Sequence, residues 1–309
     1  ELIGGTITAD QTICVDETPT TLIVTTATNS STVSGNLVYK WQSSRTNIAA
    51  NFQDIDDRFD SGLSYVPANS ATATGTTYYR RKMTITGSNC EVFSDVSAVT
   101  VVGINPGTIN GTQTVCFNGP VTIGSSQDAT TTGGIAEQIS YTWQQQINGG
   151  PWTNVSSGAD PTLSINSGIL TQTTSYKRLA FSTACSTATE TLAVEVTVLP
   201  NIIAGEVQLT DSNLPTVICA GTNPGVLGVV NGSNSSTTNL RFQWYKKNNV
   251  SDPYISVVNA IAETYNPGTL TQTTYFTRKA FYDENTSCQV EATELRIDIA
   301  IVDAGTITG

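Results

Sequence analysis

The sequence predicts an all-β chain of three tandem β-sandwich domains, on three observations. The first is composition. The 309 residues include 51 Thr against 6 Lys, and only 13% are charged. That is strand and turn material, poor in helix formers. The second is an internal period of about 100 residues. The third is alternation of apolar and polar residues in short runs separated by Gly, Asn, Ser and Thr, the pattern of half-buried strands.

Each unit opens on a glycine-led strand: Gly5-Thr6-Ile7, Gly107-Thr108-Ile109, Gly205-Glu206-Val207, and again Gly305-Thr306-Ile307. The periods are 102, 98 and 100 residues. A cysteine follows at Cys14, Cys116 and Cys219, and a tryptophan 27, 27 and 25 residues later at Trp41, Trp143 and Trp244. Each Trp closes an alternating triplet, Leu37-x-Tyr39-x-Trp41, Ile139-x-Tyr141-x-Trp143 or Leu240-x-Phe242-x-Trp244. Period 2 assigns these three tryptophans to the core. An aromatic step comes about ten residues on, at Phe52, Trp152 and Tyr254. Leu170-Thr171-Gln172-Thr173-Thr174 and Leu270-Thr271-Gln272-Thr273-Thr274 then lead into a strand carrying Arg178 or Arg278, with Arg81 at the matching place in unit 1. These arginines are expected to cover the core with their stems and pair with nearby carboxylates. A second cysteine follows at Cys90, Cys185 and Cys288, and an alternating strand closes the unit, clearest in Leu295–Ile301.

Strands at this spacing in units of about 100 residues, with a buried Trp on a central strand, predict immunoglobulin-like sandwiches. The expected domains are residues 1–103, 104–200 and 201–303, with 304–309 the first strand of a further repeat. Linkers of a few residues, two of them holding proline, predict an extended, semi-rigid array. The expectation is a fragment of a longer parent.

Six cysteines at two equivalent positions per unit predict one disulfide per domain: Cys14–Cys90, Cys116–Cys185 and Cys219–Cys288. Two cysteines per unit with no histidine are half a zinc ligand set, so zinc is the weaker reading. Disulfides imply an oxidising compartment outside the cytoplasm.

The chain resembles the Ig-like/PKD-like repeats of very large Bacteroidetes surface proteins, the gliding-motility adhesins exported by type IX secretion. The residues that carry the resemblance are the Gly-Thr-Ile openings, Cys219-Ala220-Gly221, Trp41-Gln42, Trp143-Gln144, Leu170–Thr174 with its repeat at Leu270–Thr274, and the late cysteine. The resemblance implies an extracellular, cell-surface filament of many repeats that contacts a substratum or polysaccharide, with anchoring and secretion machinery as further partners. It supplies no catalytic motif.

Composition excludes much chemistry. Without histidine there is no Ser-His-Asp or Cys-His catalysis and no His-ligated metal. A formal charge of −11 repels nucleic acid. No apolar run approaches the ~20 residues of a membrane span. No carboxylate pair is marked for glycoside hydrolysis; Asp283-Glu284, Glu291 with Glu294 and Asp16-Glu17 fit turns and solvated faces. The expectation is a protein that is not an enzyme and has no resident cofactor. Two candidate sites remain. Asp54, Asp56, Asp57 and Asp60 could supply oxygens to Ca²⁺. The competing reading is a solvated acidic turn, since units 2 and 3 lack the cluster and no EF-hand glycine or terminal Glu accompanies it. Trp152, after the turn Asn148-Gly149-Gly150-Pro151, is the best candidate to contact a ligand, against packing at a strand edge. The function expected is a non-catalytic stalk that presents adhesive surface. The alternatives are a glycan- or protein-binding module acting through its loop tips, and the stalk of a secreted polysaccharide hydrolase.

Overall fold

The structure is a computed structural model that describes residues 1–28, 34–55, 62–67, 73–133, 138–165, 170–234 and 239–300. The described residues contain strands, turns and one short 3-10 turn at Ala49–Asn51. No helix among them is long and apolar enough to cross a membrane.

The three units share one topology. In unit 1 the smaller sheet joins Thr6–Ile7, Leu22–Thr25 and Ser64–Tyr65, all antiparallel. The larger sheet runs Ser97–Asn105, Gly75–Ile85, Leu37–Ser44 and Gln53–Asp54. The strand Gln11–Cys14 pairs parallel with the closing strand Ser97–Asn105, Cys14 opposite Val102. Unit 2 repeats this with Thr108–Asn110, Val121–Gln127 and Leu163–Ile165 facing Val194–Val198, Thr174–Ser182, Ile139–Ile147 and Thr153–Gly158. There Gln113–Val115 lies parallel to the closing strand. Unit 3 does so with Glu206–Leu209 and Leu227–Val230 facing Leu295–Ala300, Thr274–Tyr282, Leu240–Lys247 and Ile255–Ser256, and again Val217–Cys219 lies parallel to the closing strand. Two antiparallel sheets packed face to face, with the first strand switching sheets to run along the last, make each unit an immunoglobulin-like sandwich.

Alternation places the cores. Leu22 and Val24 are buried while Ile23 between them is exposed. Trp41, Trp143 and Trp244 sit at 0, 1 and 0% exposure in the three core clusters. Each lies directly across the sheet from an arginine: Arg81, Arg178 and Arg278.

These arginines differ from the sequence expectation. Their heads are buried, at 1, 0 and 4% exposure. Among the described residues their hydrogen bonds go to main-chain carbonyls and to the Ser125 hydroxyl, with aromatic faces alongside, and none goes to a carboxylate. Arg178 donates to Pro161 O, Pro106 O, Gln127 O and Ser125 Oγ at 2.8–3.1 Å. Arg278 donates to Glu263 O and Ser233 O, and Arg81 to Gly62 O. Each guanidinium also lies 4.2–4.7 Å from the ring centre of Tyr39, Tyr141 or Phe242. A planar five-donor fork can reach several carbonyls at once, which a carboxylate-seeking lysine cannot.

The glycine that opens each unit has a conformational reason. Gly107 has φ +70°, and a Cβ there would lie 2.1 Å from Gln127 O. Gly5 and Gly205 meet Thr25 O and Val230 O in the same way. We expect Gly107→Ala to cost at least about 2 kcal/mol, from left-handed strain plus the clash. Gly87→Ala also has positive φ but nothing within 4 Å, and should cost about 1 kcal/mol. Equal shifts in thermal denaturation would refute the clash.

Candidate functional site: the joints between units

The cysteines do not pair within units. Cys14 bonds Cys185 and Cys116 bonds Cys288, while Cys90 and Cys219 are free. Each bridge joins the strand cysteine of one unit to the hairpin cysteine of the next. This overturns the expected Cys14–Cys90, Cys116–Cys185 and Cys219–Cys288 pairing, for a geometric reason. In unit 2 the arginine strand runs from Thr174 to Ser182. Cys116 sits beside its start, since Gln113–Val115 pairs with Val196–Val198 and Val196 faces Thr174. Cys185 sits in the turn just past its end, where the Ser182 and Cys185 main chains exchange hydrogen bonds. Nine residues of strand at ~3.3 Å each put the two cysteines at opposite poles, roughly 25 Å apart. A disulfide needs Cα atoms within about 7 Å. Across the joints the Cα–Cα distances are 5.3 and 5.2 Å.

Apolar packing surrounds each bridge. At the first joint Cys14, Val102 and Cys185 form one buried cluster with Ile104 and Ala184 against it. Thr130–Thr132 of unit 2 adds as an antiparallel strand to the closing strand of unit 1, Thr131 opposite Ile104. Main-chain ladder bonds therefore cross the joint as well. At the second joint Leu199 and Ile202 of the linker pack with Leu240, Phe242, Ala280, Tyr282 and Cys288 of unit 3, with Cys116 alongside. The Tyr282 hydroxyl donates to Pro200 O at 3.0 Å, and Asn285 Nδ2 donates to Thr114 O at 3.2 Å. The joints are thus held by covalent, apolar and polar contacts together.

The other candidate residues lie apart from the joints. Asp54 accepts a 2.7 Å hydrogen bond from Gln42 Nε2 and lies 3.5 and 3.9 Å from the Lys40 and Lys82 ammonium groups. The Gln42 bond and the two lysines hold its carboxyl below the usual range against the effect of burial. Asp56, Asp57 and Asp60 lie outside the described residues. Among the described residues no three acidic, Cys or His side chains cluster as metal ligands. Trp152 is half-buried beside the strand Thr153–Gly158, with the Lys177 ammonium 4.6 Å from its ring centre. Phe52 carries Arg80 and Tyr254 carries Lys247 in the same way, at 4.2 and 4.5 Å. A capped aromatic at this position is therefore a property of all three units.

No curated protein matches the chain. Solved structures similar to it include the three N-terminal domains of the bacteriophage RB49 highly immunogenic outer capsid protein, at 13% identity and a TM-score of 0.38, covering 96% of this chain and 99% of that one. The chicken CNTN1 FN1–FN3 domains match at 13% identity and a TM-score of 0.33, with 96% and 98% covered. Titin domains A168–A170 match at 11% and 0.33, again with 96% and 98% covered. A family profile described as a domain of unknown function, DUF8696, matches three times, at residues 3–103, 105–200 and 211–300. The chain belongs to that family, as three tandem copies of its domain.

Proposed function

We propose that the chain is a non-catalytic stalk: a row of sandwich domains whose joints are strapped by disulfides so that the row holds its direction under load. The observation that carries this reading is that both bridges cross a joint and neither closes a single unit. A binding module that needed only stable domains would have no use for such placement. A spacer that has to resist bending and parting does. Loops of about 170 residues are closed by each bridge, a constraint of about 5 kcal/mol on the unfolded chain at the upper end of the chain-entropy model. Disulfides of this kind persist where the surroundings are oxidising, which supports an extracellular setting. With the resemblance to gliding-motility adhesins, that favours a cell surface, where the row would present adhesive loops to a polysaccharide or substratum. Its partners along the row would be further units of the parent. It needs no metal or cofactor for this task.

Each unit is roughly 35–40 Å long, from strands of about 10 residues at ~3.3 Å. Small-angle X-ray scattering of the oxidised protein should therefore give a maximum dimension of about 100–120 Å. Reduction should broaden the distance distribution. An oxidised particle no longer than one or two units would overturn the reading.

A further inference from the structure

The two free cysteines occupy positions that are bonded wherever a neighbouring unit exists. Cys219 ends the strand Val217–Cys219, as Cys14 ends Gln11–Cys14. The main chain turns identically after all three strand cysteines, with Glu17 N bonding Cys14 O, Gly119 N bonding Cys116 O and Thr222 N bonding Cys219 O. The hairpin cysteines share their own bond: Ile85 N to Cys90 O, Ser182 N to Cys185 O and Tyr282 N to Cys288 O. The strand cysteines thus share one turn, and each hairpin cysteine accepts from the residue at the same end of the arginine strand, across turns of different length. What differs is cover. Of the bonded cysteines Cys14, Cys185 and Cys288 are 3–5% exposed and Cys116 is half-buried, whereas Cys90 and Cys219 are open to solvent.

The surroundings differ in the same sense. Tyr141 and Phe242 are buried, but their unit 1 counterpart Tyr39 is half-buried. At the other pole Val102 and Leu199, next to a bonded strand cysteine, are buried, while Ala300, opposite Cys219, is half-buried. Each end of the chain is one half of the joint seen twice inside it.

We propose that these ends complete each other: Cys219 forms a disulfide with the hairpin cysteine of another unit of this fold, and Cys90 with the strand cysteine of another. In a solution of this chain alone, a second copy docked head to tail stands in for those neighbouring units and supplies both. The chemistry is thiol–disulfide exchange with a small-molecule disulfide such as oxidised glutathione. The Cys219 thiolate attacks it and releases one glutathione thiolate. The Cys90 thiolate of the next copy then attacks the Cys219 sulfur and releases the second. One disulfide is consumed, one is formed, and two thiols leave. Because the contact is heterologous, it propagates instead of closing on a pair.

The proposal rests on the strapped-stalk reading, and one experiment separates the two. The purified chain is concentrated in a buffer of reduced and oxidised glutathione, run on non-reducing gels, and digested for disulfide mapping. The expected result is a ladder of dimers, trimers and longer species in which the one interchain link is Cys219–Cys90. Cys90→Ser alone and Cys219→Ser alone should lose the ladder. A mixture of the two should give a dimer and stop there, since each variant keeps only one half-joint. Both cysteines are exposed, so neither serine should disturb folding. A chain that stays monomeric, or that links Cys219 to Cys219 or Cys90 to Cys90, overturns the proposal. If Cys14–Cys185 and Cys116–Cys288 are mapped in the same digest, the stalk reading survives that failure. If they are missing, both fall.

Discussion

Pulled from its two ends with the bridges intact, the fully unfolded chain should reach about 360 Å, a third of the roughly 1,080 Å it reaches when reduced, at ~3.5 Å per residue. The reason is the route that tension takes. It runs from Glu1 to Cys14, crosses to Cys185, travels backward through unit 2 to Cys116, crosses to Cys288, and leaves at Gly309. About 100 residues lie on that path. Total reach alone does not identify the pairing, because bridges closed within each unit would leave a path of similar length. Single variants do. Cys90→Ser removes no bridge, so its oxidised reach should stay at about 360 Å. Cys14→Ser opens the first bridge and should lengthen the reach to about 480 Å. Pairing within units would instead give both variants the same reach, about 600 Å. Single-molecule force spectroscopy with and without reductant reads all of these, and equal lengthening in the two variants would sink the inter-unit assignment.

Replacing Arg178 with methionine should destabilise unit 2 by about 3–5 kcal/mol. The head is fully buried and donates to three carbonyls and a hydroxyl drawn from the linker at Pro106, the end of the strand Val121–Gln127 at Ser125 and Gln127, and the loop at Pro161. Methionine fills much of the volume but leaves those acceptors without partners, each a cost of roughly 1–3 kcal/mol when buried. Burial pulls the arginine pKa below its ordinary value, against Tyr141 and Asp128, yet a guanidinium keeps its charge through such a change. Arg178→Lys should recover little, because a single ammonium cannot span all three carbonyls and the hydroxyl. Against a domain stability of about 5–10 kcal/mol, this loss is a large part of the unit's margin. Guanidinium chloride unfolding followed by tryptophan fluorescence measures it. A shift under about 1 kcal/mol would show that the carbonyls find other partners.

Features that repeat with the strand period were legible in the sequence. The triplets ending at Trp41, Trp143 and Trp244 declare a half-buried strand through side-chain alternation alone, and the opening glycines repeat as visibly, although their positive φ shows only in the structure. The aromatic step at Phe52, Trp152 and Tyr254 repeats visibly too, although the basic side chain over each ring comes from a neighbouring strand. The arginines were found but misjudged. Nothing local distinguishes a guanidinium that reaches a carboxylate from one that plugs a ring of carbonyls. The cysteine pairing was hidden for a different reason. Equivalent positions show that the six belong to one scheme, but six cysteines admit 15 pairings. Choosing among them requires knowing that the opening strand runs parallel to the closing one, which places its cysteine at the pole far from the hairpin. Parallel pairing between strands about 85 residues apart leaves no mark on either.

The two bridges also overlap, and overlap changes what a protease can do. One closes residues 14–185 and the other 116–288, so every peptide bond between Cys14 and Cys288 lies inside at least one covalent ring. A cut at either linker, which would part ordinary tandem domains, leaves this chain a single molecule. Even two cuts, one between Cys14 and Cys116 and one between Cys185 and Cys288, leave three fragments still joined in a row. The backbone is then dispensable as the thread that keeps the units together: a nicked row stays whole for as long as its sulfurs stay oxidised.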